Sequence, residues 1–390
     1  MRNNLKARIN QLCTFAFVAL AVVVSGAWNL SVFGAGLSRQ QIENIDRVIV
    51  RNLSGHKKAS PAEPTAISIS LAINGEPILE RGYGEEHPGS QATAQTRYLV
   101  GSITKQFTAA AVLSAIDSGD RISGTKSQLS LDTEVAEFFS DTRHWNGAAP
   151  LTLRRLLTMT ADLPNFTVRP PSGFDPWGSA PAPHLLDAFK RLEIRAGWAG
   201  SFSYSNTSYF MLAEILDRTT PLVGGVDGTY SARLKRLFAA AGMTATGEVG
   251  ALRSPSQIAA PNHRRRPAFL KPDWLKGSGE LVSNVVDLRR WNKALMEKRI
   301  IGEASLDRMF GTNARVSPTL WYGMGWFVEE LKDRTIYSHT GSVPGFTGLN
   351  MIIAFKRPGK WASIVILTNG DETQNLDQVA SDLAFHLLFE

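Results

Sequence analysis

Val100-Gly101-Ser102-Ile103-Thr104-Lys105-Gln106-Phe107-Thr108-Ala109-Ala110-Ala111-Val112-Leu113-Ser114-Ala115-Ile116 is the stretch on which the fold turns. Its apolar residues, Phe107, Ala109 to Leu113, Ala115 and Ile116, lie on nearly every side of a helix. A helix of that kind belongs in a core rather than on a surface. Gly119 stands where it would end. Thr96 to Gly101 leads into Ser102, so the serine stands where a strand or loop becomes a helix. That is the positive end of the helix dipole, with free N–H groups nearby. Lys105 follows one turn later on the same face.

Upstream, Leu37 to Leu53 carries apolar residues at helical spacing (Ile42, Ile45, Val48, Ile49), with Ser38 as a cap. Ala66 to Ile73 and Pro77 to Gly84 read as strands joined by Asn74-Gly75, a strong hairpin signal. Downstream, Leu131 to about Leu237 reads as short helices joined by Pro- and Gly-rich loops, the clearest being Pro164 to Pro183. Pro255 to Gly279 is a second long irregular stretch. Gly323 to Glu330, Arg334 to His339, Phe346 to Phe355 and Ala362 to Thr368 read as strands of an antiparallel meander. Turns are expected at Lys332-Asp333, Gly341 to Gly345 and Pro358-Gly359. Gln374 to Leu388 reads as a closing helix. The simplest arrangement is an α+β fold. The N-terminal hairpin joins the meander in one antiparallel sheet, the first and last helices cover one face, and a mostly helical domain is inserted. The boundaries that follow are a sheet subdomain at about 37–100 and 286–390 and a helical subdomain at about 101–285. Ligands tend to bind where two such bodies meet.

The chain has 390 residues, 43% apolar and 20% charged, which is ordinary globular composition. Net charge is +7, and three of those charges (Arg2, Lys6, Arg8) sit at the N-terminus. Nearly continuous apolar sequence follows from Leu12 to Val24, then small residues at Ser25-Gly26-Ala27 and Gly34-Ala35-Gly36. Residues 1–35 therefore read as a cleavable signal peptide or an uncleaved anchor. Residues 36–390 form the exported body, periplasmic or secreted, touching membrane only through that segment. Cys13 is the single cysteine and lies in the apolar run. The mature body then has no thiol for a disulfide, a cysteine nucleophile or a thiolate metal site. The one dense basic run, His263-Arg264-Arg265-Arg266, is flanked by prolines and reads as a solvated loop. No basic face interleaved with aromatics points to nucleic acid. The seven histidines are scattered, with no His-Glu-x-x-His, so neither metal nor cofactor is expected. There is no Gly-x-Ser-x-Gly elbow and no phosphate-binding glycine loop.

Three short motifs occur in order: Ser102-Ile103-Thr104-Lys105, Tyr204-Ser205-Asn206 and His339-Thr340-Gly341. A serine hydroxyl is a poor nucleophile until something takes its proton. A buried lysine does so if desolvation and nearby positive potential lower its pKa. A tyrosine near an ammonium becomes a base for the serine and an acid for the leaving group. Asn206 is suited to orient a lysine or accept a substrate amide. His339-Thr340-Gly341 ends a predicted strand. There Gly341 lets substrate lie close to the backbone, and the Ser342 N–H pairs with that of Ser102 as an oxyanion hole. Taken singly, Ser102 reads equally as a helix cap, Lys105 as a surface lysine and the other motifs as turns. Ser54-x-x-Lys57, Ser123-x-x-Lys126 and His87-x-Gly89 share the patterns by chance. Lys57 reads as part of a polar linker, and Ser123 and Lys126 as a Gly/Ser-rich turn.

Together the motifs resemble the serine β-lactamase and DD-peptidase superfamily. The chain is most similar to the branch holding class C β-lactamases, DD-carboxypeptidases, D-aminopeptidases and related esterases. Lesser signatures agree: Leu151-Thr-Leu-Arg-Arg-Leu-Leu-Thr, Phe202 to Phe210, Leu281-Val-Ser with Asp287-Leu, and Gly345-Phe-Thr-Gly. The resemblance covers about 40–390. It implies the β-lactamase/transpeptidase-like fold, with Ser102 as acylated nucleophile, Lys105 as its activator and Tyr204 as proton shuttle. It also implies that Asn206 positions, Ser102 and Ser342 N–H groups hold the oxyanion, and His339 and Thr340 line the strand beside the substrate.

Three departures stand out. Position 339 is His where true β-lactamases carry Lys; a mostly neutral imidazole weakens recognition of a free carboxylate. The helix Leu153 to Thr160 runs on to Ala161-Asp162 where the family often has His-Thr-Ser-Gly. Glu280 precedes Leu281 where glycine is common. The resemblance therefore implies acyl transfer on a small D-amino-acid peptide, amide or ester, with peptidoglycan or a β-lactam as further candidate partners. A true β-lactamase and a catalytically silent cell-wall-binding protein are the alternatives.

Overall fold

A computed structural model describes residues 37–59, 65–145, 150–170, 182–190, 200–252, 254–262, 272–356, 359–370 and 376–388. The expected export segment and the basic run 263–266 lie outside the described residues.

Helix α1 (Arg39–Ala59) opens with reciprocal capping. The Gln41 N–H donates to Ser38 Oγ at 3.2 Å, and the Ser38 N–H to Gln41 Oε1 at 2.8 Å. The helix continues past Leu53, its expected end. Gly55 alone weakens a helix by only about 1 kcal/mol, and Pro61 is the first strong breaker. Lys57 thus stands on a helix and not in a linker. Strands β1 (Ala66–Ile73) and β2 (Glu76–His87) form the expected hairpin. Asn74 and Gly75 take φ of 51° and 82°, the left-handed pair that a two-residue type I′ turn requires.

The chain then runs through β3 (Ser90–Gln91), β4 (Tyr98–Leu99), α2 (Thr104–Asp117), β5 (Arg121–Ile122), α3 (Leu153–Leu157), α4 (Ala182–Lys190) and α5 (Asn206–Leu216). β6 (Thr219–Thr220), α6 (Tyr230–Ala241), β7 (Gly247–Glu248), β8 (Leu281–Ser283), α7 (Val285–Met296) and α8 (Glu303–Met309) follow. The tail is β9 (Ala314–Arg315), β10 (Leu320–Tyr322), β11 (Phe327–Glu330), β12 (Arg334–Val343), β13 (Phe346–Phe355), β14 (Trp361–Thr368) and α9 (Leu376–Leu388).

The main sheet has the order β3-β2-β1-β14-β13-β12-β11-β10-β9. β1 lies antiparallel to β14, Ile69 opposite Ile366, so the N-terminal hairpin and the C-terminal meander share one sheet. The fold class is the α+β architecture expected from sequence. On one face, Ile45 and Ile49 of α1 and Val379 and Leu383 of α9 pack on Ile67, Ile69, Leu71, Ile364 and Ile366. On the other, α2 and α7 meet through Phe107 and Trp291, ring centroids 4.4 Å apart. α2 is buried at every position from Thr104 to Leu113, as its all-round apolar pattern requires.

Two local expectations are corrected. The helix expected from Leu153 through Asp162 ends at Leu157, and Met159 and Asp162 adopt φ of 58° and 51°. The carbonyls of Met159 and Thr160 instead accept the N–H groups of Ser203 (2.8 Å) and Gly200 (3.4 Å). That contact fixes the approach to Tyr204. His339-Thr340-Gly341 is the middle of β12, not its end. The ladder continues through Gly341↔Gly348 and Ser342↔Thr347, and the chain reverses only at Pro344-Gly345, where Gly345 has φ 83°. Gly341 is needed for close approach, not for a turn. A Cβ there would lie 1.8 Å from the Val100 carbonyl oxygen and 3.2 Å from the Ser102 nitrogen. Opposite it, a Cβ on Gly348 would lie 3.2 Å from Ile103 Cδ1. Two glycines face to face let the head of α2 rest directly on the sheet.

Candidate active site

Ser102 lies in the 3-10 turn Gly101–Ile103 that precedes α2, with Gly101 at φ 50°. It is half-buried. The close packing on β12 also brings two main-chain nitrogens together. A Cβ on Gly101 would lie 2.7 Å from the Ser342 nitrogen, just as one on Gly341 would meet that of Ser102. The oxyanion pair expected from sequence is thus adjacent in space. Ser342 is exposed and Thr340 half-buried, so this part of β12 meets solvent.

Lys105 is fully buried. Its Nζ lies 3.0 Å from Ser102 Oγ, 2.6 Å from Asn206 Oδ1 and 2.8 Å from the Ser278 carbonyl oxygen. Burial pushes the amine well below the ordinary lysine range, while the charge of Glu280 acts the other way. The three partners decide what the amine does. Asn206 Oδ1 and the Ser278 carbonyl only accept. As an ammonium, Lys105 donates to all three. As a neutral amine, its two hydrogens go to Asn206 and Ser278, and its lone pair is left for the Ser102 hydroxyl. That is the geometry of a general base.

Tyr204 approaches through its ring, whose centroid is 4.9 Å from Lys105 Nζ. A second ring, Tyr209, lies 5.7 Å away. Asn206 begins α5, its Nδ2 donating to Thr167 Oγ1 at 2.9 Å and its main-chain N–H to Asn165 Oδ1 at 3.3 Å. Thr167 in turn donates to Asn165 Oδ1 at 2.9 Å. The Asn206 amide is therefore held in one orientation, oxygen toward the lysine.

His339 is 1% exposed and packs behind Tyr204, ring centroids 6.1 Å apart. Burial first, and then the positive charge of Lys105, push it down to about 3. Its Nδ1 lies 2.6 Å from the Thr340 carbonyl, an acceptor, so Nδ1 carries the hydrogen. Nε2 is then the acceptor facing the Tyr322 hydroxyl at 3.5 Å. His339 is thus an uncharged, buried ring beside Tyr204 at neutral pH. Asn165, Thr167, Tyr322 and the Ser278 carbonyl were not singled out from sequence. The loop 164–167 carried only turn signals, and a main-chain carbonyl has no sequence signature.

The family model for beta-lactamase matches residues 62–389. The chain belongs to the beta-lactamase family. Members of this family are serine hydrolases. Among curated proteins, PbpX of Bacillus subtilis (strain 168), named as a penicillin-binding protein, is 24% identical over 353 residues. The match spans 88% of this chain and 79% of that one. Among solved structures, the octameric penicillin-binding protein homologue from Pyrococcus abyssi superposes with a TM-score of 0.70 at 25% identity, covering 89% of this chain and 77% of that one. D-amino acid amidase from Ochrobactrum anthropi SV3 gives 0.69 at 21% identity, covering 88% and 98%, a likeness of fold. The residues gathered above are those of the Ser-x-x-Lys, Tyr-x-Asn and His-x-Gly motifs singled out in the sequence.

Proposed function

We propose that this beta-lactamase-family chain is an exported hydrolase that forms an acyl-enzyme on Ser102. Its substrate is a D-amino-acid peptide, amide or ester. The observation that carries this reading is the buried Lys105 amine, 3.0 Å from the serine oxygen with two fixed acceptors beside it. In the proposed course, Lys105 takes the hydroxyl proton, and Ser102 Oγ bonds to the substrate carbonyl carbon. The N–H groups of Ser102 and Ser342 receive the developing oxyanion. The bond from the carbonyl carbon to the leaving amine or alcohol breaks as Tyr204 protonates it and regains that proton from Lys105. Water then adds to the acyl carbon, the Ser102 Oγ bond breaks, and the serine recovers its hydrogen from the water.

The neutral imidazole at 339 supports an amide or ester over a substrate bound by its free carboxylate. A lysine there would supply a permanent cation; His339 supplies none at neutral pH. A second reading, acylation by a penicillin, is favoured by the similarity to PbpX, which is named for penicillin binding. The N-terminal basic residues and the apolar run 12–24 support export.

The experiment is a panel of nitrocefin, p-nitrophenyl esters, D-Ala-terminated peptides and D-amino acid amides, run beside fluorophosphonate labelling. Ester or amide turnover with labelling lost in Ser102→Ala supports the reading. Fast nitrocefin turnover would replace it with a β-lactamase. Undiminished labelling of Ser102→Ala would end it.

A further inference from the structure

Glu280 is a carboxyl group that the acyl-transfer scheme does not use. It is 3% exposed, behind the lysine and two residues past Ser278, whose carbonyl holds the Lys105 amine. Its Oε2 accepts from the Gly279 N–H at 3.3 Å, and its Oε1 lies 2.9 Å from the Tyr230 hydroxyl. That hydroxyl lies 3.0 Å from Thr108 Oγ1, and Thr108 Oγ1 donates to the Gly277 carbonyl at 2.7 Å. Thr108 is one turn beyond Lys105 on α2. Ser278, whose carbonyl holds the Lys105 amine, lies inside the segment that Glu280 grips.

The hydrogens along this chain can be counted. Three links, Glu280–Tyr230, Tyr230–Thr108 and Thr108–Gly277, need three hydrogens. Tyr230 and Thr108 bring one each. With Glu280 ionised, Tyr230 donates to the carboxylate, and the Tyr230–Thr108 contact has no hydrogen. With Glu280 protonated, the acid donates to Tyr230, Tyr230 to Thr108 and Thr108 to the carbonyl, and every link is made. The carbonyl oxygen of the acid still accepts from Gly279.

We propose that Glu280 is held as a neutral carboxylic acid behind Lys105, where its lack of charge lets the amine give up its proton and its hydrogen bonds fix the Ser278 carbonyl. It is a positioning residue and touches no substrate. Burial agrees, pushing Glu280 up to about 7 against the opposing hydrogen bonds. The other groups facing the pair are Glu248 of β7 and Tyr230 of α6 on the Glu280 side. On the lysine side they are Tyr204, Tyr209 of α5 and His339 of β12. His339 is neutral. Glu248 disfavours a second negative charge nearby. An ionised Glu280 would hold the proton on Lys105.

This deepens the serine-hydrolase reading and rests on it for its kinetic arm. Glu280→Gln tests it cleanly, because a carboxamide donates to Tyr230 and accepts from Gly279 as the neutral acid does. The first measurement is the pH dependence of fluorophosphonate labelling of Ser102. In E280Q the acid limb is expected to stay where it is, at unchanged melting temperature, because the carboxamide carries no more charge than the neutral acid it replaces. A limb that moves down by about one pH unit shows that wild-type Glu280 is ionised and holds the proton on Lys105, and overturns the proposal. The second measurement needs no activity. Infrared difference spectra of wild type against E280Q should show a protonated carboxyl band at mildly acid pH, lost as pH rises. Its absence overturns the proposal. Tyr230→Phe removes the middle link and should shift the pH at which that band disappears; an unmoved band refutes the chain even if E280Q fails to fold. If wild-type Ser102 is not labelled at all, the hydrolase reading fails, and the infrared arm still decides Glu280.

Discussion

The two faces of the main sheet are built differently. Under α1 and α9 the contact is aliphatic: Ile45, Ile49, Val379 and Leu383 against Ile67, Ile69, Leu71, Leu349, Ile364 and Ile366. Under α2 and α7 the same strands bury polar groups. Ser68 meets the Tyr98 hydroxyl at 2.8 Å, Ser70 meets Glu80 at 3.0 Å, and Asn350 links Gln106 at 2.8 Å with Asn292 at 2.9 Å. Apolar burial is non-directional and tolerates sliding. Hydrogen-bonded amides accept one register and charge a penalty for others. Both faces bury apolar side chains, Ile352, Val365 and Leu367 of the strands against Phe107, Leu288 and Trp291 on this one, but only here do buried hydrogen bonds also fix where Lys105 points. Gln106, next in sequence to the lysine, is one of the groups so anchored.

Variants on the two faces should therefore fail in different ways. The largest effect belongs to Ser102→Ala, which should lower turnover by about 10⁴-fold or more while the melting temperature holds. Lys105→Met should also lower acylation by about 10³-fold, measured by labelling rate. Its melting temperature should change little, because relief of the fully buried amine is offset by the loss of the donor to the Asn206 and Ser278 oxygens. Gly341→Ala sharpens the contrast at the seam. Its methyl group would meet the Val100 carbonyl oxygen and the Ser102 nitrogen, so labelling should fall by at least about 10²-fold through a displaced oxyanion site. Leu383→Ala, on the aliphatic face, should cost about 2–5 kcal/mol in urea unfolding, with kcat/KM of the folded fraction unchanged. A large drop in kcat/KM there would break the division between the faces.

The smallest effect is a pH effect at His339. Its pKa is pushed down in the folded chain to about 3 from an ordinary 6.5. The unfolded chain then binds a proton that the folded chain refuses as pH falls below about 6.5. The stability present above that pH is lost progressively toward about 3. His339→Gln should narrow the melting-temperature difference between pH 7 and pH 5. An equal difference in both proteins would place the acid sensitivity elsewhere.

The hairpin at Asn74-Gly75, the buried helix after Ser102 and the long strands of the tail were all legible in sequence. Each is long, strongly periodic or marked by a turn that only a few residues make. The two- and three-residue strands β4, β7 and β8 were not, since such short pairs leave no period to read. Nor was the continuation of β12 through Gly341, because a glycine that admits a neighbouring chain looks the same as one that opens a turn. The motif residues Ser102, Lys105, Tyr204, Asn206 and His339 could be named from their order. That His339 sits behind Tyr204, and that Asn165 and Thr167 hold Asn206, could not.

By itself the sequence determined the candidate residues for the chemistry and the long helices and strands, because those depend on local spacing and side-chain character. Only the tertiary structure decided that the Lys105 amine has two acceptors and one hydroxyl for partners, that the imidazole is buried and held far below its ordinary pKa, and that Glu280 lies behind the lysine. Proton affinity follows from burial and from groups far away in the chain, and neither exists until the chain has folded.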